Sequence, residues 1–258
     1  MHPTDNAKNP FKRISVSDSP KTENYPPHRI RSFIRRESRI TAGQQRALNQ
    51  LWERFGVDID FFEFDPDQLF GRRAPLILEI GFGDGESLIS MCATNPDMDF
   101  LGIEIYRPGV GHLLLRAAEM ALSNLRIICL DAVEVLERYL PDECLNGVQL
   151  FFPDPWPKLR HRKRRLIQPA FVSLVVRKIK AGGQLHIATD CENYAHAILA
   201  ILKATAELEN TTANNEFSQY PPYRPLTKFE QRGKHLGHSV WELLFIKRPE
   251  MPKKGTLF

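Results

Sequence analysis

The stretch "LILEIGFGDGES", Leu76 to Ser87, starts as a strand and ends as a glycine turn. Leu76 to Ile80 is a short apolar run bounded by glycines, the pattern of a fully buried strand. Gly81, Gly83 and Gly85 then allow a tight turn and close approach of a ligand to the backbone. Runs of the same kind recur downstream: "DFLGIEI" from Asp99, "LRIICLD" from Leu125, "NGVQLFF" from Asn146 and "GGQLHIATD" from Gly182. Helix-like stretches separate them at Glu86 to Thr94, Pro108 to Ser123, Ala132 to Tyr139 and Leu166 to Ile179. Such alternation predicts an α/β fold, a mostly parallel sheet with helices on both faces. "VWELLFIKR", Val240 to Arg248, suits a late antiparallel strand. Ahead of the sheet, Ala47, Leu48, Leu51, Trp52 and Phe55 recur at helical spacing and predict an amphipathic helix over Ala42 to Phe55.

The glycine loop excludes one common ligand class. A dinucleotide fingerprint is Gly-x-Gly-x-x-Gly, but here Glu86 takes the third glycine position. Glu79 and Asp84 add negative charge, whereas a pyrophosphate seeks the opposite field at a helix N-terminus. The ligand this loop suits carries positive charge and no phosphate. S-adenosylmethionine has that character, with a sulfonium, an α-ammonium, a ribose diol and an adenine. Glu79, near the end of the first strand, can attract the ammonium. Glu104 ends the second run and offers two oxygens to two ribose hydroxyls. Asp131 ends the third and can accept from the adenine amino group, or it can serve as the N-cap of the helix that follows. All three acids fall at carboxyl ends of consecutive strands, where open α/β sheets bind ligands.

"FFPDPWPKLRHRKRR", Phe151 to Arg165, follows the fourth strand. Its prolines fix backbone angles and remove donors, so Asp154 sits in a rigid turn. Trp156 offers a flat face to a base, or else belongs to the core. Lys158 can meet a phosphate. The cations from Arg160 to Arg165 suit the phosphates on either side of a reacting base.

The 258 residues carry a formal charge of only +4, so clustering matters more than the sum. A second cluster, Arg29, Arg31, Arg35, Arg36 and Arg39, lies near the N-terminus. Cys92, Cys129, Cys144 and Cys191 are widely spaced and read as small core residues in a reducing compartment. No apolar run reaches the ~20 residues of a membrane span, and the N-terminal residues contain no apolar region of the signal-peptide kind. A cytoplasmic location is expected. The organisation reads as a disordered polar tail (1–28), a basic segment with the amphipathic helix (29–60), the main domain (61–250) and a short tail (251–258).

Together "EIGFGDGES", "FLGIEIYRPGV", "FFPDPWPK…RHRKRR", "IATDCENYA" and "PLTKFEQRGKHLGHSVWELLF" resemble the bacterial tRNA (guanine-N7)-methyltransferase family. The resemblance covers about Arg31 to Lys247. It implies a class I methyltransferase fold, Rossmann-like with a seven-stranded sheet, and methylation of a variable-loop guanosine in tRNA. It places Glu79, Gly81, Gly83, Glu104, Asp131 and Asp154 on the side of S-adenosylmethionine, with Asp154 as the active-site residue. Lys158, Asp190, Thr227, Lys228, Phe229 and Glu230 take substrate positions. Arg160, His161, Arg162, Lys163, Arg164 and Arg165 take the RNA-contact position. Pro157 departs from the pattern, in which a histidine is more usual. The implied partner is tRNA, with no metal and no membrane. A monomer is the working expectation, although the sequence does not set the oligomeric state.

Guanine N7 has a lone pair and no proton, so methylating it needs orientation and not a general base. Asp190 and Glu230 are candidates to accept from the N1–H and N2–H₂ edge. Asp190 also reads as a cap for the helix after it. Two other classes compete: a nicotinamide-dependent oxidoreductase, which the acidic loop disfavours, and a non-catalytic RNA-binding protein, which the acids at the strand ends disfavour.

Overall fold

A computed structural model describes residues 39–58, 64–214, 216–227, 230 and 239–249. The tails, the arginines before Arg39, and Lys228 and Phe229 lie outside the described residues.

The strands are β1 (Leu76–Ile80), β2 (Asp99–Ile103), β3 (Leu125–Ile128), β4 (Leu145–Phe151), β5 (Ile179–Thr189), β6 (Leu208–Asn210) and β7 (Trp241–Lys247). They form one sheet in the order β3-β2-β1-β4-β5-β7-β6. The first five are parallel, and β7 runs antiparallel to both β5 and β6. From β1 the chain builds outward through β2 and β3, then returns to the other side of β1 with β4. That reversal opens a crevice at the carboxyl ends of β1 and β4, where such sheets bind ligands.

The helices are α1 (Ala42–Gln50), α2 (Trp52–Phe55), α3 (Pro66–Phe70), α4 (Glu86–Thr94), α5 (Arg107–Glu119), α6 (Ala132–Arg138), α7 (Pro169–Lys178) and α8 (Glu192–Ala204). Side chains alternate faces along each strand. Leu76, Leu78 and Ile80 therefore join Val148, Leu150, Leu185 and Ile187 under α6, α7 and α8. Ile77, Phe100, Leu125 and Ile127 face the other way, under α4 and α5.

The expected helix over Ala42 to Phe55 is two pieces parted at Leu51. The N–H of Arg54 bonds back to Leu51 at three residues' spacing, which tightens the turn there. A capping box starts α1: the Gln44 N–H donates to Thr41 Oγ1 at 3.2 Å, and the Thr41 N–H to Gln44 Oε1 at 2.9 Å. Ala47, Leu48 and Phe55 are buried against α5 and β3. This helical pair thus packs into the core beside α5 and β3. No helix among the described residues is long and apolar enough to cross a membrane.

Candidate active site

The carboxyl ends of β1, β2 and β3 present acceptors. Glu79 is 2% exposed, and its Oε2 has no hydrogen-bond partner among the described residues. Burial pushes its carboxyl up to about 8, with the nearby Glu104 charge adding and Arg224 opposing. Gly81 and Gly83 have φ of 75° and 61°, and nothing lies within 4 Å of where a Cβ would stand at either. The loop is left-handed, and beside these glycines it is open. Gly85 (φ 81°) differs, because a Cβ there would strike Leu113 Cδ1 at 2.2 Å; it is a packing glycine.

Glu104 follows β2 immediately. It accepts from the Gly83 N–H at 2.9 Å, the Ile105 N–H at 2.7 Å and the Tyr106 N–H at 2.9 Å. It therefore organises the glycine loop as well as facing the crevice. Asp131 lies beyond β3, with Cys129 and Leu130 between. Its Oδ1 accepts from Val133 N–H (2.8 Å) and Glu134 N–H (3.4 Å), so the N-cap role is real. Oδ1 makes both cap bonds, and Oδ2 takes no part in them. Glu86, at the position a dinucleotide loop would give to glycine, turns away to His112 Nε2 at 2.8 Å.

β4 ends in the proline turn. Phe152 and Trp156 have φ of 54° and 43°, although neither is glycine. Each such residue costs on the order of 1–3 kcal/mol and persists only where its surroundings hold it. Asp154, between them, is exposed and makes no hydrogen bond among the described residues. Its charge reaches Tyr194 on α8, whose phenol burial raises, with Asp154 adding to the rise. Trp156 is half-buried. His161 meets it edge-on with centroids 5.8 Å apart, and the Arg164 guanidinium sits 5.0 Å from its ring.

The basic run forms a 3₁₀ segment, Leu159–Arg164. Lys158, Arg160 and Lys163 are exposed, and Leu159 among them is 76% exposed. Arg164 leans on Trp156, and partial desolvation together with neighbouring cations holds His161 below its ordinary value. Arg165 stands apart from this set: it is only 6% exposed.

On the substrate side, Asp190 follows β5 and is half-buried. The helix-cap reading does not hold for it, since Cys191 is the N-cap of α8 and no side chain makes the cap bond. Thr227 Oγ1 accepts from the Glu230 N–H at 3.0 Å. Glu230 is 2% exposed, with its carboxylate 2.9 Å from Arg224 Nη1. That carboxylate is committed inside the protein and does not face a guanine edge.

Arg224 escaped the reading of the sequence. Its side chain is fully buried, and its Nε donates to Glu242 Oε1 on β7 at 3.0 Å. Its guanidinium also lies 5.3 Å from the Phe151 ring and 4.6 Å from that of Tyr220. Glu242 Oε2 is 2.8 Å from His186 Nε2, and Tyr223 Oη is 3.2 Å from His186 Nδ1. An ionised carboxylate only accepts, so the His186 Nε2–H donates to Glu242. This network fastens the segment before Glu230 across β4, β5 and β7. Gly109, also overlooked, lets α5 touch the glycine loop: a Cβ there would lie 1.9 Å from Gly83 O. The "RPGVG" at the helix start was its only signal.

The crevice thus offers acceptors to a ligand with hydroxyl, amino and cationic groups, beside a held carboxylate and a basic surface. Among the described residues no group of three or more His, Cys, Asp or Glu side chains is placed to hold a metal.

Residues 73–243 match the family described as "Putative methyltransferase". A tRNA (guanine-N(7)-)-methyltransferase of Alcanivorax borkumensis is 54% identical over 220 residues, 85% of this chain and 92% of that protein. The protein of the same name from Halorhodospira halophila is 52% identical over 225 residues, 87% of this chain and 97% of its own. Among solved structures, the antibiotic-resistance methyltransferase Kmr superposes with a TM-score of 0.53 at 15% identity, covering 76% of this chain and 97% of its own. The 16S rRNA methyltransferase KamB gives 0.52 at 15% identity, with 73% and 96% covered. These two show a shared fold.

Proposed function

The chain belongs to the bacterial tRNA (guanine-N7)-methyltransferase family, and from that premise we infer that it methylates N7 of a variable-loop guanosine in tRNA, with S-adenosylmethionine as donor. The observation that carries this reading is the pairing of an acceptor-lined crevice at the β1/β4 switch with an exposed Asp154 in a strained turn beside it.

The residues of the crevice fit S-adenosylmethionine. The unpartnered, buried Glu79 oxygen suits the α-ammonium. Glu104 suits the ribose hydroxyls, and Asp131 Oδ2 suits the adenine amino group. Gly81 and Gly83 leave the backbone open to close approach. When bound, the cofactor supplies an electrophilic methyl group on a sulfonium. The chain's own task is then placement. Asp154 orients the guanine and stabilises the positive charge that the ring gains, an interaction that strengthens as the reaction proceeds. Because N7 bears no proton, no side chain needs to remove one. Asp190 accepts from the guanine N1–H and N2–H₂ edge, which adenine lacks. Lys158 and Thr227 border the substrate, and Lys158, Arg160, Arg162 and Lys163 meet tRNA phosphates. Glu230 serves indirectly, by holding Arg224. The reaction uses no metal. We place the enzyme in the cytoplasm, where a reducing pool keeps Cys92, Cys129, Cys144 and Cys191 as thiols.

The test is incubation with labelled S-adenosylmethionine and bulk tRNA, then nucleoside analysis. Label in 7-methylguanosine is the expected result; label elsewhere, or none, would refute the reading.

A further inference from the structure

The cationic run does not end as it begins. Arg160 and Lys163 point into solvent, whereas Arg165 is buried. The Arg165 Nε donates to the carbonyl of Pro155 at 2.8 Å. Its Nη2 donates to Asn193 Oδ1 on α8 at 3.1 Å. Its guanidinium lies over the Tyr194 ring, 4.5 Å from the centroid. The Tyr194 hydroxyl in turn accepts from the Ile167 N–H at 3.1 Å, just past the arginine. Arg165 thus reaches back across ten residues to the turn that bears Asp154, and the other end of its fork is anchored on a helix.

Two features make this more than packing. Among the described residues no carboxylate pairs with Arg165; its partners are a carbonyl, an amide oxygen and a π face. Burying a charge without a counter-ion is costly, and an apolar side chain would fill the space at less cost. The carbonyl it grips also belongs to the one residue between Asp154 and the left-handed Trp156. A turn with two left-handed non-glycine residues relaxes unless something over-determines it. Proline cannot donate, so Pro155 can be tied down only through its oxygen.

We propose that Arg165 is a positioning residue: its guanidinium fixes the Pro155 carbonyl, and through it the Asp154 carboxylate, while the exposed cations before it meet the RNA. This rests on the role assigned above to Asp154. Phosphates bound at Arg160 and Lys163 would then pull on the same short segment whose end holds the active-site turn. Lysine cannot replace arginine here, because a single ammonium does not span two acceptors with a fixed fork.

The test compares Arg165→Met, Arg165→Lys, Asn193→Ala and Asp154→Asn with wild type. Turnover in both Arg165 variants should fall by about ten- to a hundredfold, the scale of a small misplacement of a reacting group. Affinity for S-adenosylmethionine and for tRNA should stay within about twofold, and the salt dependence of tRNA binding should not change, since every phosphate keeps its cation. Hydrogen exchange at the Asp154 and Trp156 amides should quicken. Asn193→Ala removes one arm from an exposed position and should reproduce a smaller part of the turnover loss, so the test stands even if Arg165→Met folds poorly. Combining Asp154→Asn with Arg165→Met should cost little beyond Asp154→Asn alone. Near-normal turnover in folded Arg165 variants beside an inactive Asp154→Asn would overturn this proposal alone. A shallower salt slope with unchanged turnover would instead make Arg165 a phosphate ligand and overturn it. An active Asp154→Asn would overturn the reading on which it rests.

Discussion

Glu79 on β1 and Gln149 on β4 are partners in the strand register, and each keeps a side-chain oxygen buried without a hydrogen-bond partner among the described residues. An unsatisfied buried acceptor costs about 1–3 kcal/mol, and two side by side form a place that favours a donor with positive charge.

This relationship makes cofactor binding depend on pH. With its carboxyl pushed up to about 8, Glu79 holds a proton at neutral pH before cofactor is added. An ammonium favours the ionised form, so binding expels that proton. Affinity for S-adenosylmethionine should rise by close to tenfold per pH unit below pH 7. It should flatten near pH 8, where an α-amino group at about 7.7–8.0 begins to lose its own proton. Calorimetry in buffers of different ionisation enthalpy should report close to one proton released at pH 7, and Glu79→Gln should abolish the release. For the protein without cofactor the sign is opposite. The native state keeps a proton that the unfolded chain releases above about 4.5, so Glu79 lowers stability as pH rises from 4.5 towards 8, by up to about 1.4 kcal/mol per unit.

Gly109→Ala tests the packing of α5 on the glycine loop. The added Cβ would meet Gly83 O at 1.9 Å and Gly83 C at 2.9 Å, and backbone cannot swing aside as a side chain can. The Gly83 N–H that donates to Glu104 must move with it. Calorimetry should show cofactor affinity falling by about tenfold or more, a loss of ~1.4 kcal/mol, with tRNA affinity nearly unchanged. Unaltered cofactor affinity in the folded variant would count against this geometry.

The basic segment divides by exposure. Replacing Arg160 and Lys163 by glutamine should weaken tRNA binding without touching cofactor binding. The slope of log affinity against log salt should become shallower by up to about 0.7–0.9 for each phosphate left without its cation. Titration at several salt concentrations gives the answer, and an unchanged slope would make these side chains bystanders.

Arg224 carries the opposite expectation. Its guanidinium is the partner of both Glu230 and Glu242 in the interior. Arg224→Met would leave two carboxylates buried without it, and stability should fall by about 3–5 kcal/mol. Denaturant unfolding measures this directly; a loss below about 1 kcal/mol would show that water reaches the network.

Much of this architecture was legible in the chain. The strands of the sheet's centre are apolar runs closed by glycine, proline or aspartate, and α4 occupies the predicted Glu86 to Thr94. β6 was not legible: it has three residues, only Leu208 is buried, and no periodicity develops over that length. α5 stops at Glu119 and not at Ser123, because Ala121 adopts φ 52° with no glycine to announce it. α7 begins at Pro169, where proline at the first position suits a helix start, and not at Leu166. β5 starts at Ile179, directly after that helix, where a continued helix was expected.

In the site, the acids at the carboxyl ends of β1, β2 and β3 were legible because strand ends can be counted. The division of labour among cations was not. A run of arginines reads alike whether its members face water or a proline carbonyl, and only the folded turn separates Arg165 from Arg160. Glu230 shows the same limit: a carboxylate is visible in sequence, but Arg224, its partner, is not.

In the proposed reaction the crevice delivers a methyl group to guanine N7. A tRNA carrying 7-deazaguanosine at the variable-loop position keeps the shape and the Watson–Crick edge of guanine but puts carbon where N7 was. The measurement is binding and labelled methyl transfer on this tRNA beside its unmodified counterpart. Similar affinity is expected for both, with transfer to the unmodified tRNA only. Label entering the 7-deaza tRNA at a comparable rate would contradict it.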